Sequence, residues 1–140
     1  MEIKINMVTS KQDYYNCLYI RKKVFIEEQE IDEKIENDDC TINAFYIIAK
    51  VDLMPVGTAR YRKTEEGIKL ERFSVLKEYR GLGIGKALVL FLLKQLKKEK
   101  YVYLNSQMEV VKFYTKLGFK IVGDVFYEAD IPHYKMKFIL

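Results

Sequence analysis

The chain has 140 residues, 49% of them hydrophobic and 31% charged, which suits one compact soluble domain over 1–140 and excludes a disordered or low-complexity chain. A net charge of +4, from 24 basic and 20 acidic residues, fits a protein that handles a phosphorylated small molecule and argues only faintly for nucleic acid. Two cysteines, Cys17 and Cys40, and one histidine have neither metal-ligand spacing nor the density of a disulfide framework, so no metal is expected.

The first ten residues alternate in polarity and contain no apolar leader segment, and residues 2–8 read as a first strand. Ser10 caps the next helix, with Asp13 three positions on. Tyr14, Cys17, Leu18, Val24 and Phe25 follow at roughly helical spacing. Residues 27–39 carry eight acids against one lysine and read as a loop with a short helix. Residues 42–51, 56–63 and 68–75 are three β-rich runs separated by the turns "DLMP" and "TEEG", an antiparallel meander.

A glycine-rich stretch, "RGLGIG" over 80–85, then opens a helix to about Lys98. Ile84, Ala87, Leu88, Phe91, Leu92 and Leu96 share one face. Val89, Leu90 and Leu93 widen it, which predicts burial on more than one side. The longest apolar run, 87–93, is far too short to cross a bilayer, so a reduced, cytoplasmic protein is expected. "YVYL" is a short strand, Val110, Val111, Tyr114 and Leu117 mark a second amphipathic helix, and Gly118 sits where a helix C-terminus favours positive φ. Two strands close the chain. Strand, helix, strand over 68–104 is a βαβ unit with parallel strands. The rest is antiparallel, which gives an α/β mixed sheet flanked by helices.

Glycines between a strand and a helix allow positive φ and close approach of a ligand. The free N–H groups of the helix's first turn make an anion site there. Two readings stand at this point: a phosphate cradle flanked by Arg80 and Lys86, or a tight turn without a ligand. A P-loop fails because Arg80 occupies its first glycine position and Ala87 its Ser/Thr. A dinucleotide fingerprint meets Lys86 or Leu88 at its third glycine.

What remains, Arg80-x-x-Gly83-x-Gly85, resembles the R/Q-x-x-G-x-G/A loop of the GNAT N-acetyltransferases. "LERFSVLKEYRGLGIGKAL" looks like that family's fourth strand, loop and third helix together. "QMEVVKFYTKLGF" resembles its N-x-x-A-x-x-F-Y-x-x-x-G-F motif. "RKKVFIEEQEI" and "EADIPHYKM" are similar to a small bacterial branch ending in E-x-G-I-P-H-x-x-M. The sequence departs from these patterns at Gln107, Val110 and Asp130.

The resemblance implies a GNAT fold and an acetyl-CoA-dependent N-acetyltransferase. Phe73, Ser74, Val75, Arg80, Gly81, Leu82, Gly83, Ile84, Gly85, Lys86, Gln107, Phe113 and Tyr114 would bind the donor. Backbone groups of the loop would hold the pyrophosphate, and the strand edge the pantetheine arm. Tyr114 is the candidate general acid, since a phenol with a pKa of about 10 stays protonated at neutral pH; the alternative is a core tyrosine. Glu71 is the candidate base, or else a structural partner of Arg60 or Arg72. Glu28, Glu128 and His133 are the candidate acceptor-side residues and further candidates for the base. The acidic 27–39 segment, with Asp32, Glu33 and Glu36, points to a cationic small-molecule amine. A non-catalytic acyl-CoA-binding module on the same fold is the competing reading, and a small nucleic-acid-binding domain the third. No nucleic acid or membrane partner is expected, and the exposed final strands leave room for a homodimer.

Overall fold

The computed structural model describes residues 1–33 and 44–139. The elements are β1 (Ile3–Met7), α1 (Lys11–Arg21), β2 (Ala44–Val51), β3 (Met54–Lys63), β4 (Ile68–Val75), α2 (Ile84–Gln95), β5 (Val102–Gln107), α3 (Val111–Lys116), β6 (Phe119–Glu128) and β7 (Ile131–Phe138). Seven strands form one sheet in the order β1-β2-β3-β4-β5-β7-β6. Only β4 and β5 run parallel, and α2 connects them, as a βαβ crossover requires. The expectation of a mixed α/β sheet flanked by helices therefore holds.

Both faces of the sheet are covered. On one, Ile84, Leu88, Val89 and Leu92 of α2 pack on Ile47, Ala49, Leu70, Leu104 and Met136. On the other, Cys17 of α1 packs on Tyr46 and Ile48. The Ser10 hydroxyl accepts from the Asp13 N–H at 3.1 Å, as the cap pattern predicts. Burial pushes the Cys17 thiol up to about 11, which makes it inert at neutral pH. Cys40 and residues 34–39 of the acidic segment, Glu36 among them, lie outside the described residues.

Several details differ from expectation. The β2–β3 turn is only Asp52-Leu53, both at positive φ (47° and 74°), the geometry of a two-residue hairpin. Strand β3 thus begins at Met54 and includes Pro55. Helix α1 continues into a π-helical stretch, Lys22–Glu28, which the apolar spacing does not reveal. Helix α2 stops at Gln95. Leu90 is 46% exposed, because two residues on from the buried Leu88 the helix has turned away from the sheet. Helix α3 is short and enters through a 3₁₀ turn, Met108–Val110.

The feature that positions the site is where β4 and β5 stop pairing. Their ladder covers only Ile68–Leu70 against Val102–Leu104. Beyond it β4 stays with β3, and β5 goes with β7, pairing Tyr103 through Gln107 with Lys137 through His133. A register shift against β3 falls at Arg72, whose φ is +58°. Such a bulge bends and twists its strand. The sheet opens into a wedge.

The closed end of the wedge is fixed by Gly67. The Ile68 N–H donates to the Tyr101 carbonyl at 2.9 Å, and a Cβ on Gly67 would lie 2.5 Å from that same oxygen, at φ +150°. We expect Gly67→Ala to destabilise the fold by about 1–3 kcal/mol, measured by urea unfolding. Stability equal to the parent would show that the strand ends are not held this tightly.

Candidate active site

Between the parted strands lies a cleft of ≈ 800 Å³. One half is built from β4, the following loop, the start of α2 and the start of α3. Of the residues expected to bind the donor, Phe73, Ser74, Val75, Arg80, Gly81, Gly83, Ile84, Gly85, Lys86, Gln107, Phe113 and Tyr114 line this cleft. Leu82 does not; its side chain is 43% exposed outside it. The strand edge from Glu71 to Val75 that faces β5 carries no ladder partner from it, which leaves backbone groups there, apart from the Val75 carbonyl that accepts from Arg80, open to an extended ligand.

The three glycines have different reasons. Gly81 and Gly83 sit at φ +78° and +83°, and a Cβ on either would meet only open space. The left-handed loop needs glycine, and the space beside it admits a ligand. Gly85 is helical, and a Cβ there would merely touch Phe113 at 3.7 Å, so alanine would fit. Gly83 is the N-cap of α2, and no side chain caps that end. The first N–H groups of a 12-residue helix therefore stay open to an anion.

Arg80 closes this loop on itself. Its Nε donates to the Val75 carbonyl at 3.0 Å, and its two terminal nitrogens donate to the Glu28 carboxylate at 2.6 and 2.7 Å. Hydrogen bonding from Arg80 holds the Glu28 carboxyl below its ordinary range. Glu28 thus does not line the cleft; it ties the π-helical stretch to the loop.

The opposite half carries the other candidates. Glu71 is 10% exposed and surrounded by cations. Arg60 Nε donates to it at 2.6 Å, Arg62 Nε at 3.0 Å, and Lys69 Nζ stands 3.4 Å away. Burial pushes its carboxyl up, but the charges of Arg60, Lys69 and Arg62 outweigh that and hold it low. Glu71 is therefore ion-paired, with Arg60, Arg62 and Lys69 as its partners. His133 is 8% exposed and stacks on Phe126 at 5.9 Å. Its Nδ1 lies 2.7 Å from the Ile131 carbonyl, which can only accept, so Nδ1 carries the hydrogen. Nε2 stands 3.8 Å from a Glu128 carboxylate oxygen. Both residues line the cleft.

Tyr114 is packed against Phe73, Phe113 and Phe119 with ring centroids 6.0, 5.0 and 5.8 Å away. Burial pushes its phenol well above the ordinary value. It belongs to the core and to the cleft wall at once, so the two readings of this tyrosine are not exclusive.

Residues that the sequence did not assign to a site also meet here: Val24 and Phe25 from the π-helical stretch, Gln29 and Ile31 just past it, and Asn105 and Ser106 from β5. Gln107 Nε2 donates to Gln29 Oε1 at 3.1 Å. Strand alternation beyond Leu104 could have found Asn105; nothing local could have found Gln29. The basic side chains of the cleft are Arg62, Lys69, Arg72, Arg80 and Lys86, against the carboxylates of Glu71 and Glu128. This wall does not favour a cationic acceptor. Among the described residues no cluster of three metal-ligating side chains occurs, and no helix is long and apolar enough to cross a membrane.

A family model described as an acetyltransferase (GNAT) domain matches residues 11–140. The chain is 39% identical over 140 residues to the protein YyaT of Bacillus subtilis (strain 168), covering 96% of this chain and 94% of the relative. It is 30% identical over 141 residues to the N-acetyltransferase YjcF of the same organism, covering 96% and 98%. The crystal structure of Escherichia coli ElaA superposes with a TM-score of 0.86 at 28% identity, covering 99% of this chain and 100% of that one.

The Glu71 cluster makes stability depend on acid. With its folded pKa held low, Glu71 contributes stability that is full above its ordinary unfolded value of 4.5 and is lost as pH falls through the lower folded value. Glu71→Gln should cost about 3 kcal/mol at pH 7, since it leaves Arg60 buried without its counter-charge. Urea unfolding from pH 7 to pH 3 should show the gap to the parent closing below pH 4.5. A gap that stays constant would mean that the carboxylate's charge is not what the cluster uses.

Proposed function

The chain belongs to the GNAT acetyltransferase family, and from that premise we propose that it moves the acetyl group of acetyl-CoA onto the primary amine of a small molecule by direct attack on the thioester. The observation that carries this reading is the parting of β4 and β5, with an unpaired strand edge, an uncapped helix N-terminus and a buried tyrosine around one cleft.

A thioester already contains a good leaving group, so the protein mainly has to hold, orient and stabilise. The first N–H groups of α2, with Lys86 beside them, suit the pyrophosphate. The free edge of β4 from Phe73 to Val75 suits the amides of the pantetheine arm. A backbone N–H at the end of that edge would polarise the thioester carbonyl as negative charge develops on its oxygen. The amine nitrogen attacks the carbonyl carbon, and the C–S bond breaks. Tyr114 supplies a proton to the departing sulfur, and the nitrogen loses one. A phenol that burial keeps protonated is suited to donating, because a thiolate in the same dry site is also destabilised.

For the proton leaving nitrogen, His133 is the better-placed group. Its Nδ1 is anchored on the Ile131 carbonyl and its Nε2 stands on the Glu128 side of the cleft, whereas the Glu71 carboxylate is taken up by three cations. A non-catalytic acyl-CoA-binding module would have no use for a tyrosine and an oriented imidazole in the same cleft. The acceptor is read as an uncommitted small amine, since the basic wall gives no support to a cation and residues 34–39 lie outside the description.

Titration calorimetry should give a CoA Kd on the order of micromolar to hundreds of micromolar. Gly83→Trp should abolish that binding while circular dichroism stays unchanged. Absence of CoA binding by the parent chain would end the acetyltransferase reading. Tyr114→Phe keeps the ring packing and should lower kcat by about 10²–10⁴-fold with CoA affinity unaltered. An unchanged kcat would return Tyr114 to a purely structural role.

A further inference from the structure

Asn105 stands one position past the last β4–β5 pair, on the stretch of β5 that lines the open wedge. Its Oδ1 is withdrawn from water and accepts no hydrogen bond. A carbonyl left in that state costs a folded protein free energy, and a buried group of this kind calls for a reason, a functional role among them. The face on which it sits follows from strand alternation. Leu104 and Met136 belong to the core beneath α2 and α3, the side on which Tyr114 packs. Asn105 is offset by one, so it shares the opposite face with Lys69 and Glu71 of β4 and with Gln107. Gln107 reaches Gln29 on that side, and His133 pairs with Gln107 across β5–β7. The unsatisfied oxygen therefore lies on the face of Glu71 and His133, opposite α2 and α3.

We propose that Asn105 is the acceptor-amine binding residue: its Oδ1 takes one N–H of the incoming neutral amine and so turns the nitrogen lone pair toward the thioester carbon. This rests on the acetyl-transfer reading above and adds to it the group that orients the nucleophile. A neutral primary amine has two N–H donors and one lone pair. Binding one N–H on the acceptor face leaves the lone pair directed through the wedge and the second N–H free to face the imidazole side.

The test compares the parent chain, Asn105→Leu and Asn105→Asp. Each is measured for CoA affinity by calorimetry, for melting temperature, and for release of free CoA from acetyl-CoA with tyramine, lysine, spermidine and glucosamine as amines. Asn105→Leu removes an unsatisfied group at similar volume, so its melting temperature should equal or exceed the parent's. Its kcat/KM for the amine the parent uses best should fall at least about tenfold, with CoA affinity unchanged. Asn105→Asp keeps an acceptor oxygen and should recover part of that loss. Undiminished kcat/KM in Asn105→Leu would overturn the assignment. So would weakened CoA binding, which would give the oxygen to the donor, or a melting temperature lower by several degrees, which would make Asn105 structural. A parent chain that binds CoA but uses none of the four amines would overturn it as well, leaving the donor reading intact. A parent chain that does not bind CoA would overturn the donor reading and this assignment together.

Discussion

A parallel strand pair that stops pairing halfway is the constraint on which the rest of this structure depends. Backbone groups inside a sheet need partners, and β4 and β5 abandon theirs after Leu70 and Leu104. Two local facts keep them apart. The bulge at Arg72 turns β4 toward β3, and β7, inserted between β5 and β6, pairs along β5 from Tyr103 to Gln107. The crossover does the rest. A helix that links parallel strands must start where the first strand ends, so α2 begins at the mouth of the wedge. The uncapped N-terminus of the helix and the unpaired strand edge are brought together by topology before any side chain is chosen.

Charge then fixes the walls. Arg60 is 1% exposed, and a guanidinium at that depth is tolerated only with full pairing. It donates to Glu71 and to the Tyr46 hydroxyl, which joins β2, β3 and β4 across one face. Such a cluster adds less net stability than its contacts suggest, because both charges lose their water. Its effect is on geometry: it holds β4 against β3 just before the bulge. The Arg80–Glu28 pair is different. Both side chains are more than a third exposed, so its energetic weight is small. Its contribution is to set the loop beside the π-helical stretch.

Much of this was legible in the sequence. The meander, the βαβ unit, the glycine loop and Gly118 at a helix end all followed from periodicity and turn chemistry. They are local rules, and nothing tertiary overrode them. The parts that were not legible have common causes. A π-helical continuation of α1 has no apolar period that distinguishes it from an α-helix over seven residues. Glu28 and Arg80 are 52 positions apart, and no spacing rule predicts that pair. Glu71 has the composition of a catalytic carboxylate and the surroundings of a structural one. Only the three cations around it separate the two, and Arg60, Arg62 and Lys69 reach it from two strands.

The alternation of β5 shows how one strand can serve both halves of a bimolecular reaction. Leu104 and Ser106 turn to the side of α3, where Tyr114 is held in an aromatic cluster. Asn105 and Gln107 turn to the other side, toward the end of the π-helical stretch. In a continuous sheet these two sides would be separated by a ladder of backbone hydrogen bonds. The wedge removes the ladder only where the strands part. A group bound along β4 from the helix side is thereby within reach of a nucleophile arriving from the opposite side, with no wall between them. On this reading the acid and the orienting carbonyl lie on opposite faces because the C–S bond breaks on one side of the sheet and the C–N bond forms from the other. The low basicity forced on Glu71 fits the same division: a carboxylate that anchors the wedge has to stay ionised, and one that took up a proton would release Arg60 and loosen β4.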